Sequence, residues 1–209
     1  MIIEKFKELP IMGILRGLEL ETVEPLIETI YSSGLRTIEV TMNTPEAEKI
    51  IDKVVACSNS RLTIGAGTVL DIDSLKRALG AGATFVVSPV LIAKIAKYCL
   101  KKSIPYFPGA FTPLEIYQAK EAGATMVKVF PAKFFGPAYL KEIKGPFQDV
   151  ELLACGGVTS SNICSFFYQG ASAVAFGASI FKDNLLKNKN FSSIEESIAM
   201  LIKEFKEKN

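Results

Sequence analysis

Two charged residues lie inside apolar segments of the sequence and could form a reactive pair. Lys128 lies in ATMVKVFPA and Glu39 in TIEVT, and each segment otherwise reads as a buried strand. Burial disfavours the charged form of an amine, so we expect the pKa of Lys128 to be lowered toward the physiological range. A neutral amine can attack a ketone and form a Schiff base, whose iminium draws electrons from the neighbouring carbon. A carbon–carbon bond there can then break or form.

Simpler explanations exist for both residues. The stem of Lys128 could pack on apolar surface while its ammonium group reaches water. A buried carboxylate is costly unless it is paired or functional, so Glu39 could form a structural ion pair with Lys128 or Arg16. The sequence leaves open which face of its strand Glu39 occupies. If it lies beside Lys128, it could move protons through a water, as Schiff-base chemistry requires.

The chain of 209 residues contains no histidine, which narrows the possible chemistry. This absence excludes Ser-His-Asp and Cys-His catalysis and every histidine-based metal site. Acid–base chemistry near neutral pH is left to Lys, Glu, Asp, Tyr or Cys. The cysteines form no CxxC pair, and we interpret them as free thiols: Cys57, Cys99, Cys155 and Cys164.

Two glycine-containing segments near the end of the chain, CGGVTSSN and FGASIF, could hold a phosphate. Glycine lets a backbone approach an anion closely, and barrels frequently bind phosphate in the loops after their last two strands. The candidate phosphate ligands are Gly156, Gly157, Gly177 and Ser179. Each motif alone is weak, because glycine also simply forms turns. Arg16 offers paired N–H donors for a carboxylate or a phosphate.

The elements that must position these residues alternate between strands and helices. Four phrases, SSGLRTIEVT, GAGATFVVSP, EAGATMVKVF and YQGASAVAFG, each end a helical stretch with glycine and continue into a strand. Such alternation predicts a parallel sheet, and eight units predict an α/β fold with a single (β/α)8 TIM barrel over residues 1–209. An open doubly wound sheet is the alternative. The predicted strands lie near 10–16, 36–41, 62–67, 84–88, 104–108, 125–129, 150–155 and 173–177.

Three further segments complete the sequence prediction. Residues 1–8 are expected to form a short helix that closes the bottom of the barrel. Asp71 and Thr112 are plausible N-caps. After the eighth strand we expect a short helix and then a longer one near 191–207. The unusual residues fall at strand ends, and in a barrel the active site lies at the C-terminal ends of the strands.

Composition restricts the partners and the location. The net charge of +2 gives no global field that would attract nucleic acid or an acidic membrane surface. The apolar runs are strand-sized, far below the ~20 residues of a membrane span. No signal peptide is visible in MIIEKFKELP, so we expect a cytoplasmic protein.

The motifs together resemble one known family. In chain order they are IEVTMNTPEA, IGAGTVL, VVSP, FPGAFTPLE, VKVFPA, FGPAYLKEIKGPF, CGGV and GAS. They resemble the 2-keto-3-deoxy-6-phosphogluconate (KDPG) / 4-hydroxy-2-oxoglutarate (KHG) aldolases, which are class I, lysine-dependent enzymes. The resemblance implies a (β/α)8 barrel, a homotrimer and no metal.

The resemblance also implies roles for single residues. Lys128 matches the Schiff-base lysine and Glu39 the general acid/base. Gly156, Gly157 and Ser179 match the phosphate loops, with Gly177 beside them. The residues expected to contact the rest of the substrate are Arg16, Thr41, Asn43, Thr68, Pro89, Phe130 and Cys155.

Two positions depart from the KDPG pattern. Asn43, in MNT, stands where some members carry an arginine in LRT, and Cys155 stands where KDPG enzymes often carry threonine. MNTP is closer to the LNSP of 2-keto-3-deoxy-6-phosphogalactonate aldolases. A thiol replaces a threonine hydroxyl poorly as a hydrogen-bonding group. The C4 epimer of the substrate therefore stays open.

The resulting prediction is a lyase of the aldehyde-lyase class that cleaves a phosphorylated keto-acid, KDPG, to pyruvate and glyceraldehyde 3-phosphate. No cofactor is expected, because the iminium is the electron sink. The alternatives are a 2-keto-3-deoxy-6-phosphogalactonate aldolase, a phosphate-binding barrel isomerase or synthase with Glu39 as base and no covalent step, and a non-catalytic sugar-phosphate binding protein.

Overall fold

Nine short parallel strands form the centre of the fold in the computed structural model, which describes residues 2–208. Each strand pairs in parallel with its neighbours, in the order β5-β4-β3-β2-β1-β9-β8-β7-β6. The strands are β1 Ile11–Leu15, β2 Thr37–Thr41, β3 Thr63–Gly67, β4 Val86–Val87, β5 Tyr106–Phe107, β6 Gly109–Ala110, β7 Val127–Val129, β8 Leu152–Cys155 and β9 Ala173–Phe176.

The fifth predicted strand is divided in two by Pro108, which has no N–H to donate to a sheet. Its first half, β5, pairs with β4, and its second half, β6, pairs with β7. The Lys128 N–H donates to the Pro108 carbonyl at 2.9 Å, and the Thr125 N–H to the Tyr106 carbonyl at 2.9 Å. The ring of strands therefore closes through this segment. The (β/α)8 barrel is confirmed, and the open doubly wound sheet is wrong.

Helices follow the strands as the alternation predicts. They are α1 Ile2–Glu8, α2 Val23–Ser32, α3 Ala47–Ser58, α4 Ile72–Gly80, α5 Ala93–Lys102, α6 Pro113–Glu121, α7 Gly136–Lys144, α8 Ile163–Tyr168, α9 Asp183–Lys187 and α10 Phe191–Lys208, with a 3-10 turn at Leu20–Thr22. The expected short helix and longer helix after the eighth strand are α9 and α10. Met1 and Asn209, the ends of the predicted domain, lie outside the described residues.

Local capping explains where two of these helices begin. The Ser74 N–H donates to Asp71 Oδ1 at 2.6 Å, and the Glu115 N–H donates to Thr112 Oγ1 at 3.3 Å. Both are capping boxes, because the side chain three residues into the helix also bonds back to the N-cap N–H. The two N-caps predicted from the sequence are confirmed.

The lower part of the barrel interior is apolar. Phe6, on α1, is 1% exposed, and its ring packs edge-to-face on Phe107 with 6.1 Å between centroids. Phe85 packs on the same ring at 5.6 Å. Met12, Met126 and Leu153 belong to the same buried cluster. Helix α1 therefore closes the bottom of the barrel as expected, and the polar interior residues lie above this plug.

Within residues 2–208, no helix combines the length and the apolar character needed to cross a membrane. A larger apolar layer lies between the outside of the sheet and the surrounding helices. Val127 and Val129 belong to this outer layer. Because neighbouring side chains of a strand alternate between its faces, Lys128 must point to the inside of the barrel.

Candidate active site

Lys128 and Glu39 meet inside the barrel. Lys128 Nζ lies 3.7 Å from Glu39 Oε1, and the side chains are only 9% and 1% exposed. Glu39 therefore occupies the inner face of β2, which settles the question that the sequence left open. The distance is that of an ion pair and is longer than an ordinary hydrogen bond.

Burial and charge act in opposite directions on the pKa values of this pair. Burial raises the pKa of Glu39 above its ordinary value, although the nearby charges of Lys128 and Arg16 oppose this shift. Burial lowers the pKa of Lys128, but the Glu39 carboxylate and the Cys155 side chain raise it, and the net pKa lies above the ordinary value. The expected lowering of the Lys128 pKa is therefore wrong for the free protein, because burial brings an anionic partner with it.

Two further side chains flank the amine. Cys155, at the end of β8, is 2% exposed and lies close enough to Lys128 to affect the pKa of its amine. Burial raises the pKa of its thiol. On the other side, Lys128 Nζ lies 5.5 Å from the centroid of the Phe130 ring. The amine is thus enclosed by a carboxylate, a thiol and an aromatic face.

A cavity of about 900 Å³ adjoins this group through Phe130 and Cys155. It lies over the β1, β7, β8 and β9 side of the barrel mouth. The structure brings seven of the predicted site residues into its wall: Arg16, Phe130, Cys155, Gly156, Gly157, Gly177 and Ser179.

The far wall of the cavity is built from the two predicted phosphate loops. Gly156 and Gly157 have φ values of +97° and +81°, which favour glycine. A Cβ on Gly157 would also lie 2.6 Å from the Cβ of Lys133. The Ser179 hydroxyl donates to the Val158 carbonyl at 2.7 Å and so joins the two loops. Within residues 2–208, the N–H groups of Gly157 and Ser179 have no acceptor and are available to an anion.

Four predicted site residues lie elsewhere, on the β2–β4 side of the mouth. Thr41 is buried, and its hydroxyl lies 3.1 Å from that of Thr44. Asn43 is exposed. Thr68 has a φ of +55°, and Pro89 packs its carbonyl against Gly109, where a Cβ would lie only 1.9 Å from the oxygen. None of the four lines the cavity.

The cavity also contains residues that the sequence reasoning missed. The loop after β7 contributes Lys133 and Phe134, and the segment around α9 contributes Asp183, Lys187 and Lys189. For Asp183, Lys187 and Lys189, the sequence offered one signal, the charged segment KDNLLKNK. No local pattern shows that this helix folds back over the barrel mouth.

The described residues contain no group of three or more His, Cys, Asp or Glu side chains that could hold a metal ion. The charged side chains that line the cavity are four cations, Arg16, Lys133, Lys187 and Lys189, and two carboxylates, Glu19 and Asp183, so cations predominate. They suit an anionic organic molecule.

Comparison with known proteins agrees with this geometry. The family model "KDPG and KHG aldolase" matches residues 2–197. A probable 2-dehydro-3-deoxy-6-phosphogalactonate aldolase of Rhizobium meliloti is 32% identical over 179 residues, covering 85% of this chain and 84% of the relative. A 2-dehydro-3-deoxy-phosphogluconate aldolase of Haemophilus influenzae is 32% identical over 203 residues, covering 96% and 95%.

A solved structure extends the comparison to the fold. The KDPG aldolase of Legionella pneumophila, with pyruvate captured at low pH as a covalent carbinolamine intermediate, has a TM-score of 0.86 and 30% identity. The match covers 97% of this chain and 98% of that one. The fold, the length of the match and its motifs agree, and the chain belongs to the KDPG and KHG aldolase family.

Proposed function

We propose that this protein is a class I aldolase that cleaves KDPG to pyruvate and glyceraldehyde 3-phosphate. The observation that carries the proposal is the buried Lys128–Glu39 pair, 3.7 Å apart, beside a cavity whose far wall offers backbone N–H donors. A Schiff-base lysine, a proton carrier and an anion site are the parts that this reaction needs. In the relative from Legionella pneumophila, pyruvate is held covalently.

The first step is deprotonation of the amine. Since the pKa of Lys128 is raised by the Glu39 carboxylate, the nucleophile must lose a proton before it attacks. Glu39 is the natural acceptor, because burial raises its pKa. The transfer converts two buried charges into two neutral groups, which burial favours. A bridging water carries the proton across the 3.7 Å.

The bond changes then follow from the iminium. Lys128 Nζ attacks C2 of the keto-acid. Protonated Glu39 then gives its proton to the departing C2 hydroxyl, so water leaves, the iminium forms and Glu39 is a carboxylate again. Glu39 removes the proton of the C4 hydroxyl, the C3–C4 bond breaks, and its electron pair moves into the enamine. Glyceraldehyde 3-phosphate leaves as the aldehyde. Protonation of the enamine at C3 and hydrolysis release pyruvate and regenerate the amine. The iminium accepts the electrons, so the cycle balances without a cofactor.

The anionic ends of the substrate are assigned to opposite sides of the mouth. We place the phosphate against Gly156, Gly157, Gly177 and Ser179, because these loops line the cavity and join through the Ser179 hydroxyl. Arg16 lines the same cavity and suits a substrate anion. The remaining assignments rest on the family resemblance. They place Phe130, Thr68 and Pro89 around the pyruvate pocket, with Thr41 and Asn43 beside it.

A second substrate, the 6-phosphogalactonate epimer, is favoured by Cys155. Its thiol sits next to Lys128, where a substrate hydroxyl would pass, and it accepts a hydrogen bond more weakly than a threonine hydroxyl. Steady-state kcat/KM values for the two purified epimers decide between them. A preference for the galactonate epimer would assign the protein to that substrate, and a preference for KDPG would remove this candidate.

The experiment that tests the covalent mechanism is incubation with pyruvate and borohydride, followed by peptide mass spectrometry. Reduction converts an iminium into a stable secondary amine. We expect a pyruvyl adduct on the peptide that contains Lys128. Lys128→Arg is the matched control, because it keeps a positive charge but cannot form the iminium, and it should show no adduct and no turnover while circular dichroism remains native.

The alternatives predict different results. A barrel isomerase or synthase that uses only Glu39 would give no adduct and would keep activity in Lys128→Arg. A sugar-phosphate binding protein would bind the substrate without turnover at any pH. Either result on folded protein would overturn the aldolase proposal.

The assembly and location expected from the sequence belong to the same proposal. We infer a homotrimer, supported by large apolar side chains that remain exposed around one part of the barrel mouth, among them Leu70, Val90 and Leu114. All four cysteines are free thiols, as is usual in the cytoplasm. We also take residues 1–209 as one domain, since one continuous sheet spans the described chain.

A further inference from the structure

Strand β3 presents glycine at two successive positions of the barrel interior. A Cβ on Gly65 would lie 2.2 Å from the Phe85 ring. A Cβ on Gly67 would lie 2.5 Å from Glu39 Oε1 and 2.7 Å from its Cδ. At both positions, a neighbour fills the space that a side chain of β3 would otherwise occupy.

The register of β2 and β3 shows how Glu39 reaches Gly67. The two strands are parallel, with Glu39 opposite Gly65 and Thr41 opposite Gly67. The carboxylate of Glu39 therefore leans one interior layer toward the C-terminal ends of the strands. There it lies against the Cα of Gly67, at the height where it also meets Lys128.

Few other groups hold the carboxylate in this place. Its Oε2 accepts no hydrogen bond from any group in residues 2–208. Its Oε1 meets Lys128 at 3.7 Å, too far for a strong directional bond. The carboxylate instead fills the space in which a side chain at position 67 would begin.

We propose that Gly67 is a positioning residue of the active site, whose missing side chain creates the slot that keeps the Glu39 carboxylate beside Lys128. The inference rests on the proposed aldolase function, in which Glu39 moves protons. It deepens that function, because it makes the position of the Glu39 carboxylate depend on a residue that does not line the cavity.

Alanine at position 67 isolates this effect. Gly67 lies in a regular strand, outside the set of glycines with positive φ, so an alanine can adopt its backbone conformation. The atoms that the new Cβ would meet belong to the end of the Glu39 side chain. The side chain can rotate away while the backbone stays, so we expect folded protein with a displaced carboxylate.

The test measures steady-state kinetics for Gly67→Ala. We expect kcat to fall roughly 100-fold, the size of loss that a misplaced catalytic group causes. KM should change less than about threefold, since Glu39 moves protons and does not bind the substrate anions. Gly80→Ala is the matched control, because a Cβ there meets nothing within 4 Å, and its kinetics should equal those of the wild type.

A double-mutant cycle separates positioning from general damage to the barrel. Glu39→Asp shortens the side chain by one methylene, so its carboxylate no longer reaches the position-67 Cβ. In that background we expect Gly67→Ala to cost less than about threefold in kcat, a clear departure from additivity.

Each outcome has a defined meaning. An equal loss from Gly67→Ala in both backgrounds, or a loss that follows a lowered Tm, would overturn the positioning role and leave a structural one. Wild-type kcat in Gly67→Ala would overturn it as well. Absence of turnover and of a borohydride adduct in the wild type would instead overturn the aldolase function itself, and the inference with it.

Discussion

Lys128 shows at the residue scale that burial and reactivity are separate properties. The apolar neighbours Val127 and Val129 in the sequence favour a buried amine but leave open an ammonium group that reaches water. They cannot predict its net pKa, because the sign depends on Glu39, which a distant strand brings within 3.7 Å. A sequence shows what surrounds a residue along its own strand, whereas electrostatic partners come from across the barrel.

This balance makes a prediction for Glu39→Gln. Burial lowers the pKa of Lys128, and the Glu39 carboxylate is the foremost group that raises it. Glutamine removes the negative charge, and burial still lowers the pKa of Lys128, so this pKa should fall. The fraction of neutral amine at a given pH therefore rises. The pH dependence of Lys128 labelling by an amine-specific reagent, read by peptide mass spectrometry, should move to lower pH.

Glu39→Asp is the control for this measurement, because it retains the charge near the amine. Its labelling profile should stay closer to that of the wild type. A glutamine profile that coincides with the wild type would show that the Glu39 charge does not govern the Lys128 pKa. Turnover should still be lost in the glutamine variant, since the proton carrier is gone.

At the scale of elements, a short chain of hydrogen bonds joins the loops after β1 and β2. The Gly17 N–H donates to Thr44 Oγ1 at 3.0 Å, and Thr44 Oγ1 lies 3.1 Å from Thr41 Oγ1. Thr44 is 4% exposed, so this contact is part of the buried structure. It fixes the residue that follows Arg16 and thereby helps to place a candidate substrate ligand.

Thr44→Val tests this link, because valine keeps the shape and removes the acceptor. Loss of one hydrogen bond of this kind costs about 1 kcal/mol, so the loop that carries Arg16 should be less well ordered. We expect KM for the phosphorylated substrate to rise roughly fivefold, with a smaller change in kcat. Thr44→Ser keeps the hydroxyl and should behave as the wild type. A larger effect on kcat than on KM would argue that the link serves Glu39 through β2.

The elements also show the limits of sequence reasoning. Glycines after helices and the caps Asp71 and Thr112 are local signals, and the structure confirms them. Pro108 was a local signal that the fifth strand is divided. Which strand each half pairs with depends on closure of the whole barrel, which the local sequence does not show. The fold of α9 over the cavity depends on long-range packing, which leaves no pattern in its own residues.

At the scale of the whole molecule, the barrel mouth has an apolar sector. Leu70, Val90 and Leu114 follow the strands β3, β4 and β6, and they are 52%, 54% and 65% exposed. Apolar side chains that are exposed side by side commonly mark a protein interface. None of the three lines the cavity, so copies of the chain could meet at this sector without contacting the cavity wall through them.

The trimer proposal makes a prediction for Val90→Glu. A charge on this sector would have to be desolvated in the interface, so we expect the assembly to dissociate toward monomers of 22.7 kDa. Sedimentation velocity measures the change. Met200→Glu is the control, because Met200 is equally exposed, at 55%, but lies on α10. A wild type that sediments as a monomer, or a trimer that survives Val90→Glu, would contradict the assignment of this surface.

The plug formed by Phe6 and Phe107 affects the order in which molecules enter and leave the barrel. Because the bottom of the barrel is closed, molecules enter and leave only through the mouth. The molecule that binds deepest must therefore enter first and leave last. In the proposed reaction the keto-acid carbon would be attached at Lys128, at the inner end, and the phosphate would lie nearer the rim. We therefore expect the aldehyde to leave before pyruvate in cleavage, and pyruvate to bind before the aldehyde in synthesis. The depths of the two proposed subsites would thus impose an ordered sequence on the reaction in both directions.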